Sequence, residues 1–75
     1  MYILFERYND WQITVTAFIH KSSAKAAIDE GTEDQKLQGV YYHYRLHDGT
    51  GFCESSPNAH VHFIEDYKMR FVGIR

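Results

Sequence analysis

Four histidines are spaced for metal chemistry. His43 and His47 fall on one parity of an alternating stretch, and His60 and His62 on one parity of another. Strand side chains alternate between faces, so each pair projects to one side. A neutral imidazole is a good ligand for zinc, copper or nickel. Two such strands side by side would bring four imidazoles together, which makes His43, His47, His60 and His62 a weak candidate metal set. An ion needs its ligands to converge to about 2 Å, and parity does not establish convergence. The competing reading is a set of ordinary polar side chains on a wet sheet face, so no cofactor is assigned.

The parity of His43 and His47 also holds Tyr41 and Arg45, and the last stretch adds Lys68 and Arg70. Aromatic rings interleaved with cations can anchor a protein interface. They can also stack on bases and neutralise phosphates, although no RNP-type motif is present. The candidate partner-binding residues are therefore Tyr41, His43, Arg45, His47, Lys68 and Arg70. The expectation places all six on one uncovered sheet face.

Catalytic signatures are absent from the sequence: it has no Gly-rich phosphate loop, GxSxG, CxxC or HExxH. Glu65 and Asp66 are adjacent, and on a strand they would point to opposite faces, which is wrong for an acid/base pair. Cys53 is expected to be a buried packing residue on the side of Tyr44 and Leu46. It has no assignable histidine partner for nucleophilic chemistry. The chain is expected to be non-catalytic.

These residues must be positioned by a small set of elements, organised around Trp11 to Glu30. Ile13, Val15, Ala17 and Ile19 alternate with Gln12, Thr14, Thr16 and His20, and Phe18 is the one apolar residue of the polar parity. This is strand patterning, and the face of Ile13, Val15 and Ala17 is expected to meet the helix that follows. Ser22 or Ser23 is a helix cap, Ala24, Ala27 and Ile28 form a short apolar stripe, and Gly31 can end the helix. Thr32 and Gln35 have capping-box spacing, so a second helical turn is expected from about 33 to 38, closed by Gly39.

Before that unit, MYILFER is a strand apolar on both faces, as in a covered strand. Tyr8-Asn9-Asp10 turns it into a hairpin with the next strand. A two-residue loop would oppose Leu4 to Val15, and a three-residue loop Phe5 to Val15. Trp11 is expected to act as a lid on the core, with an exposed contact residue as the other reading. After the helix, Val40 to His47 is a third strand with Val40, Tyr42, Tyr44 and Leu46 on its apolar face. Asp48-Gly49 is a type I′ hairpin signal, and the return strand is short, from Gly51 to Glu54. The stretch after Asn58 alternates with constant parity, as one long bent strand or a hairpin with an odd loop.

Together these elements give an α+β domain. It has a small antiparallel sheet of four to five strands, in the order β-β-α-β-β with a possible further β. One short helical segment packs on one face. Seventy-five residues make a single domain, 1–75, near the lower limit for one core. Six Tyr, five Phe and one Trp offset that small size. A net charge of −2 supplies no general field for nucleic acid. One cysteine excludes an intrachain disulfide framework. With neither a signal peptide nor a long apolar run, the expected location is the cytoplasm, off the membrane.

By elimination the favoured function is a protein-binding module that regulates or inhibits a larger protein. Phage and mobile-element proteins that block host or defence enzymes belong to that category. A homodimer is a further possibility. The alternatives are a small nucleic-acid-binding domain using the His/Tyr/Arg face and a His-rich metal-binding domain.

Overall fold

The computed structural model describes residues 1–8, 12–57, 59, 63 and 68–75. Strands β1 (Tyr2–Arg7) and β2 (Gln12–Phe18) precede helix α1 (Lys21–Gln38). Strands β3 (His43–His47), β4 (Phe52–Ser55) and β5 (Lys68–Ile74) follow. All five form one sheet in the order β4-β3-β1-β2-β5, with α1 packed on one face. The α+β expectation holds, with the further β strand realised. The pairs β1–β2, β1–β3 and β3–β4 are antiparallel, whereas β2–β5 is parallel, so the sheet is mixed.

The apolar first strand lies at the centre of the sheet, between β3 and β2. Its register with β2 opposes Phe5 to Val15, the register expected of a three-residue loop. The turn itself and Trp11 lie outside the described residues.

The helix departs from the sequence expectation in four ways. It is one helix of 18 residues, not two short pieces. Its N-cap position is His20, which makes no side-chain cap bond, so Ser22 and Ser23 are not caps. Thr32 is not a capping residue either, since its hydroxyl donates back to the Ile28 carbonyl at 2.9 Å. Gly31 does not end the helix because it is needed inside it. A Cβ built there would lie 2.3 Å from Cζ of Tyr42, so only glycine lets the ring pass beneath the helix. Gly39 ends the helix in the left-handed conformation, as its position implied.

The helix also covers the other face of β2. Leu4, Phe18 and Leu46 from the sheet meet Ala24 and Ile28 from α1, with Tyr2, Ala27 and Tyr44 packed around them. Phe18, the apolar residue on the polar parity, is therefore a core anchor. Ile13, Val15 and Ala17 point to the second face. β2 lies between two neighbours, and both of its parities bury residues: Ile13 and Ala17 on one, Thr16 and Phe18 on the other. Simple alternation could not tell which face the helix would take.

The hairpin between β3 and β4 has a four-residue loop, with Asp48 N–H donating to the Gly51 carbonyl at 3.0 Å. It is not a two-residue I′ turn. The Asp48 carboxylate accepts from the Thr50 hydroxyl at 2.7 Å and from the backbone N–H groups of Thr50 and Gly51. The ladder shifts between Leu46↔Glu54 and His47↔Phe52, leaving Cys53 as the extra residue of a bulge. Cys53 is consequently exposed rather than buried. Lys25 of α1 donates to Glu54 at 2.5 Å and ties the helix to this edge strand.

Candidate functional site

Strand β3 sorts its side chains by parity. Tyr44 and Leu46 face the helix, and His43, Arg45 and His47 face the other way. The β1–β3 register sets Ile3 opposite His47, Phe5 opposite Arg45 and Arg7 opposite His43. The β3–β4 register adds Phe52 opposite His47. Six of these side chains, with Tyr41 just before the strand, make a cation–aromatic stripe across the second face.

The stripe has two foci. At one end the Arg45 guanidinium carbon sits 3.8 Å from the centroid of the Phe52 ring, a distance at which the ring quadrupole attracts the cation. His47 meets the same ring edge-on at 5.1 Å, and Phe5 meets it at 5.8 Å. At the other end Tyr41 and His43 pack edge to face at 4.6 Å, with the Arg7 guanidinium carbon 5.9 Å from the Tyr41 ring. Phe52 is 48 % exposed despite its three neighbours, and Tyr41 is exposed too. No described strand residue of this face carries a carboxylate. Glu6 opposes Thr14 and Tyr44, and Glu54 opposes Leu46, so both belong to the helix side. The face is not bare throughout, because Ile13 and Ala17 are buried and Arg7 nearly so.

Four of the six candidate contact residues, Tyr41, His43, Arg45 and His47, are brought together. Lys68 and Arg70 are not. They sit on β5, opposite Gln12 and Thr14, with β1 and β2 between them and β3. Their register parity is that of the helix side, so the single six-residue face is corrected to a four-residue stripe plus a separate edge. Sequence reasoning missed Phe52, Phe5 and Arg7. Counting a four-residue loop after His47 places Phe52 beside it, and that count was the available signal.

Of the four histidines in the metal reading, the described pair His43 and His47 does not meet. His60 and His62 lie outside the described residues. His43 and His47 are four residues apart on one strand, about 13 Å at 3.3 Å per residue, too far to share an ion with bonds of about 2 Å. Nδ1 of His47 is already used, accepting the Gly49 N–H at 3.0 Å. Among the described residues no three His, Cys, Asp or Glu side chains group in a way that could hold a metal.

A buried carboxyl lies on the opposite side of the sheet, at Glu6. The Tyr42 hydroxyl donates to Glu6 Oε2 at 2.7 Å inside the protein, and Tyr8 packs on Tyr42 at 4.9 Å. Burial raises the Glu6 carboxyl above its ordinary range, against the lowering effect of the Tyr42 bond. Burial also pushes the Tyr8 phenol up to about 12, helped by the charges of Glu6, Asp34 and Glu30. Perturbed groups often mark functional sites. Here the acid is enclosed, bonded and shielded by the helix at Gly31, so it serves packing.

No protein-family model, no protein of described function and no solved structure matches this chain. Among the described residues no helix is long and apolar enough to cross a membrane.

Proposed function

We propose that this chain is a small non-catalytic protein-binding module that regulates or inhibits a larger protein. The carrying observation is the exposed Phe52 ring, with Arg45 stacked on it and His47 and Phe5 against its edges. Aromatic side chains and arginine dominate the energetics of protein interfaces, because they bury large rigid areas and hold directed donors. Pre-stacking Arg45 on Phe52 reduces the ordering cost of binding. The narrower reading, an inhibitor of the kind that phage or mobile elements direct at host or defence enzymes, rests on small size and the absence of a catalytic motif.

The test is capture of partners from lysate on tagged chain, with and without nuclease, beside Arg45→Glu and Phe52→Ala. A stoichiometric protein that survives nuclease, and binds the variants about tenfold or more weakly, is the expected result. Capture unaffected by both variants sinks the site. A second reading, binding to single-stranded nucleic acid, is favoured by one observation: the strand residues described on this face include cations and rings without a carboxylate. Recovery abolished by nuclease would move that reading to first place.

A further inference from the structure

Among the described residues β5 forms one edge of the sheet, and the devices that usually blunt an edge, charge and a bulge, leave its second face apolar. Unpaired edges commonly carry charge on their outward positions or are covered. Here Met69 and Phe71 remain 64 % and 62 % exposed, and Val72 and Ile74 are exposed as well. Met69 opposes Ile13 and Phe71 opposes Val15, so both belong to the second face. Arg70 opposes Thr14 and belongs to the helix face. It is exposed and makes no ion pair with a described residue. Val72 is the extra residue of a bulge between Val15↔Phe71 and Thr16↔Gly73, with Gly73 at φ 145°. The regular edge therefore runs from Lys68 to Phe71, with Met69 and Phe71 on the second face and the Arg70 cation on the helix face.

We propose that β5 is a strand-addition site for an extended protein segment that alternates acidic and apolar side chains. Such a segment would continue the sheet beyond β5 by backbone hydrogen bonds. Its apolar residues would lie beside Met69 and Phe71, and its carboxylates beside Arg70 and the register position of Lys68. Charge selects this occupant over a second copy of the chain. Two β5 strands paired about Phe71 would gather the cations of both copies with no β5 carboxylate to separate them, and like charges at cross-strand range are destabilising. The inference deepens the binding-module reading by naming a partner chemistry, at a surface distinct from the Arg45–Phe52 stripe.

The test uses the full chain, isotopically labelled for amide NMR. The probes are two capped heptapeptides, one alternating Glu and Val and one alternating Lys and Val. The Glu–Val peptide should shift the amides of Lys68 to Val72 and slow their hydrogen exchange. It should bind about tenfold more tightly than the Lys–Val peptide, two or three cross-strand charge contacts being enough for that ratio. Arg70→Glu should abolish the preference, while Arg45→Glu should leave it unchanged. Equal binding of the two peptides, or shifts centred on β3 and β4, would overturn the site. Sedimentation showing a dimer whose β5 amides are protected before peptide is added would overturn the chosen occupant. Peptide preference that persists when lysate capture fails separates this proposal from the stripe.

Discussion

Glu6 is a carboxylate in an environment its type does not suggest. It lies on a central strand, buried, and accepts a hydrogen bond from the Tyr42 hydroxyl. Because burial raises its carboxyl in the folded state, the folded protein holds this proton more tightly than the unfolded chain does. Its contribution is therefore greatest below the ordinary carboxyl range and is lost as pH rises through the raised value. Glu6→Gln keeps an acceptor for Tyr42 and removes the titration. Urea unfolding from pH 4 to 8 should show the variant gaining on the parent as pH rises; a constant difference would refute the assignment. Asp48 has the opposite sign. The Thr50 hydroxyl, followed by the N–H groups of Thr50 and Gly51, holds it down at about 2. Its contribution is present above the usual aspartate range and fades only toward pH 2. Cys53 is the residue the sequence misplaced, because a bulge moved it out of alternation. Its exposure predicts that a thiol reagent titrates one thiol per folded chain at a rate near that of a free cysteine. Labelling that requires denaturant would return Cys53 to the interior.

At the scale of elements, the continuity of α1 depends on Gly31. In an ordinary helix Gly→Ala gains up to about 1 kcal/mol. Here the added methyl would meet the Tyr42 ring, which is itself held by Glu6. Gly31→Ala should therefore destabilise by about 1–3 kcal/mol, as overpacking does. A thermal melt shifted downward is the expected readout, and an upward shift would mean that Tyr42 moves freely. Strand parities in β3, and those of Met69 and Phe71 in β5, were legible as alternation. The capping residues were misread. Serine at 22 and 23 and glycine at 31 follow local preferences, which tertiary contact overrode when Tyr42 required a bare helix surface. The bulges at Cys53 and Val72 leave no mark in alternation, since one extra residue resets the parity beyond it.

Over the whole molecule, carboxylates are divided unevenly. The stripe face carries the cations Arg7 and Arg45 and no described strand carboxylate, while α1 carries Asp29, Glu30, Glu33 and Asp34 together with Lys21, Lys25 and Lys36. The net charge is −2. If nucleic acid were the partner, neutralising about two phosphates would give a log–log salt slope of only about −1 to −2. A protein partner anchored on Phe52 should lose less than that between 50 and 200 mM salt, because apolar burial is not screened. A slope of about −1 to −2 would favour nucleic acid.

The sequence by itself determined the strand patterning, the helix end at Gly39, the place of MYILFER inside the sheet, and the parity that unites Tyr41, His43, Arg45 and His47. Those follow from short-range rules: side-chain period, turn residues and continuous apolarity. Only the tertiary structure decided which face of β2 the helix covers, that β5 pairs with β2 in parallel, and that Phe52 and Arg7 join the stripe. It also decided that Lys68 and Arg70 stand at the far edge, on the other parity. Each depends on which strands become neighbours, and neighbours are chosen by packing among residues distant in the chain, such as Leu4, Phe18, Ile28 and Leu46. Alternation specifies that a strand has two faces; the rest of the fold determines what each face meets.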